Sequence, residues 1–591
     1  MNSAKHQSQI VRIWDKARSG LLSLVKEPVF FVYLISVVIY LPWFLPTLSE
    51  IAPWDETYFI VSGRGLVNGD WPVLGYGPLL SVVAAFSYLP FRGSHFWLIH
   101  ANSLSRFFLF SFVFVGAWQA AKALRDHFNP MVLYGFLFLT PLLTYNFEYP
   151  ADLLFAPISA IAFAQAVYFT QTKKIKHVWW ASFWLGLGML TRGDALILVI
   201  ALAGFVLYFG WRQHQWWRLL LAGLIPFIAF SAGYVLLRGM FTGDFNTAMA
   251  ERSYTAFEQG QEMDMPSEDG RFAAPTESYY VARELFGTPE ENEYSVFRAI
   301  SRNPSAYLRR LVNVFQSLPG LFLTAYYRRY AVIIAALAIR GLVALFQQKK
   351  VPLAILHLVW LLPLSAGIAR TLVRVGYFRL FFFVVLSLVV VGLKALLDSL
   401  NTSREGWFWA GGMGLVLVLA LIQGDESIQF SMTVFLCWLL LAYLLASRSE
   451  RLIHWEYMAM LLLLSAGLML RGGGFLIYSP RNLTELPRER ASLALREVTE
   501  PDDYVLTCTP SVVFLAERQV ANFCGSDIPQ FDSSEDFIVW MEAQHFFTVY
   551  LDSASPNVLI DMVQEQEGKA LRQTFTTEAG EASIFVINYT N

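Results

Sequence analysis

Apolar runs long enough to cross a lipid bilayer recur from residue 29 to residue 470, and a soluble core has no use for so many of them. Of the 591 residues 55% are apolar and only 15% are charged, with a mean hydropathy of +0.45. The chain therefore reads as a polytopic all-α membrane protein. The formal net charge of -2 hides an uneven distribution. Basic residues stand in short clusters between apolar runs, while acidic residues gather in one long loop and in the C-terminal part. That asymmetry encodes topology rather than a nucleic-acid footprint.

Lys5, Arg12, Lys16, Arg18 and Lys26 precede the first run, 29–48, which is too long for a signal-peptide core and lacks a small-residue cleavage site. The N-terminus, 1–28, is expected to be retained in the cytoplasm. Crossings are then expected at 103–123, 131–145 and 153–169, and two more are expected within 178–210. The rest fall at 219–237, 331–346, 352–368, 381–397, 407–422, 430–446 and 453–470. The sum is about thirteen transmembrane helices by hydropathy and charge. Residues 57–67 and 79–89 are too short to cross and read as surface or re-entrant helices of an extracytoplasmic loop, 49–102.

The run 178–210 lies between two basic clusters, Lys173-Lys174-Ile175-Lys176-His177 and 212–218. If both clusters are cytoplasmic, an even number of crossings separates them, so the run folds as two short helices with Thr191-Arg192-Gly193-Asp194 at the extracytoplasmic apex. A single long helix would instead strand Arg192 mid-membrane, at a cost of at least about 2.5 kcal/mol. A second loop, 238–330, is far longer than an ordinary connection. Its later part, 279–322, reads as amphipathic helix with Arg302, Arg309 and Arg310 near the membrane surface.

After residue 478 the pattern changes. Strand-like runs at 504–507, 547–551 and 583–587 alternate with helix-like runs at 489–498 and 556–567. This predicts a transmembrane domain over 29–478 and a small extracytoplasmic α/β domain over 479–591. The chain's three cysteines show no metal-ligand spacing, and no redox cofactor is implied. Cys508 and Cys524 follow strand-like runs, which leaves both a disulfide and two buried thiols open.

With this topology Asp55, Glu56, Glu148, Asp152, Arg192, Asp194, Arg370, Arg374 and Arg379 all fall at the outer membrane surface. Carboxylates and guanidiniums together suit a site with a base and an anion receiver. Each residue also has an ordinary reading. Asp55 and Glu56 can cap a helix, interfacial arginines snorkel to headgroups, and Asp194 can simply pair with Arg192. Arg64, Arg92 and Arg106 are weaker candidates.

Several features, taken together and in order, resemble the GT-C integral-membrane glycosyltransferases. They are the acidic pair after the first run, Gly77-Pro78-Leu79, the second acidic turn through Asp152, the Gly188-Met189-Leu190-Thr191-Arg192-Gly193 apex and the C-terminal α/β part. The nearest branch contains the aminoarabinose transferase and the protein O-mannosyltransferases. The resemblance implies sugar transfer from a polyprenyl-phosphate donor to an acceptor at the extracytoplasmic face. It implies that Asp55 is the first-loop catalytic acid, with Glu56 beside it, and that Asp152 is the second-loop acidic residue. It places Arg192 where the aminoarabinose branch usually has Lys, and it matches Tyr377-Phe378-Arg379 to the start of a later span. This chain has Tyr76-Gly77-Pro78-Leu79 where those enzymes show Lys-Pro-Pro-Leu, so one basic pocket residue is missing.

The expected chemistry is inverting single displacement. Asp55 takes the acceptor proton, Arg192 with Arg374 or Arg379 receives the leaving phosphate, and Asp152 orients them or binds a metal. No His-rich ligand set stands out, so a divalent metal is left open. The acceptor, whether glycan, lipid or protein, and the sugar also stay open. The competing readings are a lipid-linked glycan polymerase or ligase and a transporter or flippase. The latter commonly shows related halves, and no internal repeat is visible here. Expected partners are the lipid-linked donor, the acceptor and membrane lipid, with no nucleic acid.

Overall fold

The computed structural model describes residues 55–70, 78–94, 97–124, 150–211, 215–243, 249–261, 275–325, 329–373, 380–400, 487–524, 533–552, 557–564, 570–577 and 580–587, with positions 33, 37, 245, 378, 529, 531 and 555 besides. The expected N-terminus 1–28, the spans at 131–145, 407–422, 430–446 and 453–470, and Glu148, Arg374 and Arg379 lie outside the described residues. Of the first span only Tyr33 and Val37 are described, and the Tyr33 hydroxyl shares a 2.8 Å hydrogen bond with Ser111.

Among the described residues, four helical stretches are long and apolar enough to cross a membrane: Trp97–Leu124, Pro150–Thr172, Trp216–Thr242 and Val351–Ala369. The first two pack along each other and carry the centre of the main apolar core, with Phe110, Val113, Ala117, Phe155 and Phe163 buried. The helices Arg329–Gln347 and Phe382–Leu400 approach still more closely. A Cβ on Gly341 would overlap the Leu388 carbonyl, and one on Gly392 would overlap that of Leu337. With little hydrophobic drive between helices in lipid, such small-residue contacts let backbones gain dispersion directly.

The stretch Val351–Ala369, which covers the crossing expected at 352–368, is broken near its middle. Helix Val351–Val359 ends, residues 360–363 turn, and Leu364–Ala369 resumes behind Pro363. Pro363 has no N–H to give to a continuing helix, and its ring crowds the preceding turn. The run 178–210 does fold as two helices, Ile175–Met189 and Asp194–Trp211, which pack on each other and on Trp216–Thr242.

Both short first-loop helices form, Asp55–Asn68 and Leu79–Tyr88, joined by a 3.0 Å Ser62–Ser81 hydroxyl contact. The first stops at Gly69, whose φ of +97° suits a residue without Cβ, and the Asp70 N–H donates back to the Gly65 carbonyl at 2.9 Å. The long second loop is a helical lobe. Met249–Gln259, Pro275–Phe286, Val296–Arg302 and the start of Pro304–Ala325 enclose a core of Tyr254, Phe257, Phe286, Ala299 and Ala306.

The C-terminal part is a three-layer α/β domain. Strands β1 (Tyr504–Thr507), β2 (Gln519–Asn522), β3 (Thr548–Leu551), β4 (Ala570–Thr577) and β5 (Gly580–Ile587) form one sheet of order β2-β1-β3-β5-β4. β1 runs parallel to β2 and β3, and β5 runs antiparallel to β3 and β4. Strand side chains alternate between faces. Leu506, Val549, Leu551 and Phe585 pack with Phe537, Met541 and Leu559 on one side, while Val505, Tyr550 and Ile584 pack with Leu495, Val512 and Val513 on the other. β1 aligns Thr507 with Asn522, which leads the following residues together, and Cys508 and Cys524 are joined in a disulfide. The short helix Pro510–Leu515 brings Phe514 and Leu515 onto the Asp55–Asn68 helix, where Phe514 meets Tyr58 at 5.8 Å between ring centroids.

Candidate functional site

Three helix ends meet at one place. Asp152 stands in the first turn of Pro150–Thr172, and Asp194 opens Asp194–Trp211. A carboxylate in a helix's first turn is favoured by the positive end of the macrodipole, which accounts for acid at both positions. Between Met189 and Asp194 the chain reverses over Leu190 to Gly193. There the N–H groups of Thr191 and Arg192 both donate to the Gly188 carbonyl at 2.9 Å, and the Thr191 hydroxyl adds a third donor at 2.6 Å. The first loop reaches this apex, because the Leu79 N–H donates to the Leu190 carbonyl at 3.1 Å. Arg370 caps the third, the end of Leu364–Ala369.

The charged side chains form an alternating series. Arg192 pairs through Nη1 with the Asp152 carboxylate and donates from Nε to Asp194 Oδ2 at 2.8 Å. Arg370 Nη2 donates to the other Asp194 oxygen at 3.3 Å. Two carboxylates and two guanidiniums make the set formally neutral. The carboxylate side chains are only 4% exposed, whereas those of Arg192 and Arg370 are 19% and 20% exposed. The face open to an incoming group is therefore the cationic one, held from beneath by acid. Breaking one partner out of such a set leaves a buried charge uncompensated, at a cost of about 3–5 kcal/mol.

An apolar cavity of about 330 Å³ is lined by Leu318, Pro319, Phe322, Leu364, Ile368, Val373 and Phe378. Ile368 and Val373 of the lining flank the Arg370–Thr371 turn in sequence.

The structure brings Asp152, Arg192, Asp194 and Arg370 together as the sequence leads one to expect. It treats the acidic pair of the first loop differently. Asp55 opens its helix, while the Glu56 side chain is buried and pairs with Arg106 of Trp97–Leu124. Arg310, expected near the membrane surface, is buried at 2% exposure inside the helical lobe, where Phe257 and Phe286 face its guanidinium. Sequence offers one signal for this: Ala306, Tyr307 and Val314, one turn before and after Arg310, are apolar and would place it on an inward face. In the same lobe burial pushes the Glu258 carboxyl above its ordinary value, although Arg283 donates to it at 2.8 Å. Among the described residues no group of three or more His, Cys, Asp or Glu could hold a metal ion.

No protein-family model matches the chain, and no curated protein matches it. Solved structures do. The chain has the fold of the GT-C integral-membrane glycosyltransferases. It is similar to ArnT, the aminoarabinose transferase, from Cupriavidus metallidurans bound to undecaprenyl phosphate. That likeness has a TM-score of 0.55 at 13% identity and covers 95% of this chain and 99% of that one. Against the same protein in its apo state the TM-score is 0.50 at 14% identity, covering 96% and 98%.

Proposed function

We propose that this protein transfers a sugar from a polyprenyl-phosphate donor to an acceptor hydroxyl at the extracytoplasmic membrane face. The observation that carries the reading is the series Asp152–Arg192–Asp194–Arg370, with its arginines the more exposed members, in a chain with the fold of ArnT and with an apolar cavity whose lining includes Ile368 and Val373 on either side of Arg370 in sequence. The ArnT structure holds undecaprenyl phosphate, an anionic head on a long apolar tail, and the arginines and the apolar cavity here suit the same chemistry.

In this reading the bond from sugar C1 to the phosphate oxygen breaks as the acceptor oxygen attacks the opposite face. Asp55 takes the acceptor proton. Arg192 receives the departing phosphate, joined by Arg370 and by Arg374 or Arg379, while Asp152 holds Arg192 in place. Glu56 belongs to the same acidic pair, and its bond to Arg106 fixes the angle at which the Asp55 helix leaves the bundle. Two hydrogen bonds, from Arg192 to Asp152 and to Asp194, orient the guanidinium before any donor arrives.

The reading includes about thirteen crossings with 1–28 inside, 29–478 as the membrane domain, and 479–591 outside. It requires Thr191 to Asp194 to be extracytoplasmic and Lys173 to His177 to be cytoplasmic. Labelling of single introduced cysteines from outside intact cells tests the arrangement. Reaction near Gly193 and none near Lys174 is expected, and the reverse would overturn both topology and site. Mass spectrometry of lipid carried through purification tests the donor class, with a polyprenyl-phosphate sugar expected.

A further inference from the structure

We infer that the helical lobe between residues 249 and 310 is a positioning device for Arg370, acting through Gly260, Tyr307 and Arg310. The inference rests on the reading of Arg370 as part of the donor-phosphate site. The Tyr307 hydroxyl bonds the Ala369 carbonyl, Gly260 lies against Arg370 and Thr371, and Arg310 stands beside Gly260 and bonds the Phe257 carbonyl.

Arg370 reaches Asp194 at 3.3 Å, a longer contact than the 2.8 Å from Arg192 to the same carboxylate. Whether that contact forms depends on where residues 369–371 sit. Thr371 is fully buried with a φ of +55°, in the left-handed region that a β-branched residue adopts only when its surroundings impose it. The lobe supplies those surroundings. The Tyr307 hydroxyl donates to the Ala369 carbonyl at 3.0 Å, satisfying a helix-end acceptor that the short Leu364–Ala369 helix leaves over.

Gly260 closes the other side. A Cβ built there would stand 2.5 Å from Arg310 Nη2, 2.7 Å from Thr371 Oγ1 and 2.8 Å from the Arg370 carbonyl oxygen. Lobe and turn therefore touch with no room for a methyl group. Arg310 cannot step aside cheaply. Its Nη2 donates to the Phe257 carbonyl at 2.6 Å, and its guanidinium lies 4.6 Å from the Phe257 ring and 5.2 Å from that of Phe286. Those two rings stand in the lobe's own core, so the order of the lobe is transmitted to the Arg370 turn. A role for so long a loop follows: it is a folded clamp on one arm of the site.

The test measures binding of undecaprenyl phosphate to the full-length protein in nanodiscs, for Tyr307→Phe and Gly260→Ala, alone and combined with Arg370→Ala. Tyr307→Phe removes one hydrogen bond, and roughly 3- to 10-fold weaker binding is expected. Gly260→Ala should weaken binding at least as much. In the Arg370→Ala background neither should have a further effect, because residues acting through one group are not additive. A merely structural role would instead lower the melting temperature and leave binding per folded molecule unchanged, which overturns the inference. An equal further loss in the Arg370→Ala background overturns it as well. If Gly260→Ala does not fold, Tyr307→Phe carries the test alone. Failure of the donor reading shows separately, since Arg192→Ala and Arg370→Ala would then both bind undecaprenyl phosphate like the parent protein, and both proposals would fall.

Discussion

Two sets of charge among the described residues, one at the first-loop helix and one at the Arg192 apex, are built differently. Glu56 and Arg106 form a pair that ties the first-loop helix to Trp97–Leu124. Asp152, Arg192, Asp194 and Arg370 form a series, in which Arg192 touches two carboxylates and Asp194 touches two arginines. The pair joins the first turn of Asp55–Asn68 to the interior of Trp97–Leu124. The series draws on three helix ends, which supply fixed dipoles, and no continuous helix has to be deformed to admit a ligand. An arginine held by two acids can exchange one of them for a phosphate oxygen while the other still orients it. Under the proposed function the pair serves architecture and the series serves chemistry.

The strongest test of that division is Asp55→Asn, which keeps size and removes the proton acceptor. Sugar transfer should fall by roughly 10² to 10⁴ with the fold and donor binding retained. Near-normal transfer would move the base elsewhere. Next comes Arg192→Ala, which takes the central member from the series. Loss of a charge-assisted contact worth about 1.5–3 kcal/mol should weaken undecaprenyl phosphate binding some 10- to 100-fold, as read by titration in nanodiscs. Binding unchanged by that variant would deny the series its role.

Glu56→Gln attacks the pair instead. Thermal unfolding should show destabilisation of about 1–3 kcal/mol, since the part-buried Arg106 guanidinium loses the charge of Glu56, whereas transfer per folded molecule should drop less than tenfold. A fall in transfer as deep as that of Asp55→Asn would abolish the distinction between pair and series. The smallest effect on transfer is expected from the double variant Cys508→Ser, Cys524→Ser. The bridge closes a sequence separation of 16 residues, and opening a loop of that size should cost the α/β domain about 3 kcal/mol. Proteolysis of the C-terminal domain at rising temperature would read that loss, and unaltered resistance would show the sheet to be sufficient without the bridge.

The disulfide also marks a limit of local reading. Neither the number nor the spacing of the cysteines distinguishes a bridge from two buried thiols. The parallel register of β1 with β2 does, by setting Thr507 beside Asn522. Likewise β4, Ala570–Thr577, has a mixed sequence that does not announce a strand, and its long antiparallel pairing with β5 makes it one. The break at 360–363 was legible only as Pro363 inside an otherwise continuous apolar run.

The sequence by itself determined the membrane class, the two short first-loop helices, the hairpin with Arg192 at its apex, and the α/β character of the C-terminal part. These follow from hydrophobic period, breaker residues and charge parity, all of which are local or additive along the chain. Only the tertiary structure decided that Glu56 belongs to Arg106, that Asp194 is shared by Arg192 and Arg370, and that Arg310 is buried in the lobe beside Gly260. The physical reason is that a charge's partner depends on which helix ends meet in space. That is fixed by packing among residues as far apart as 152, 192 and 370, and no periodicity in the chain encodes it.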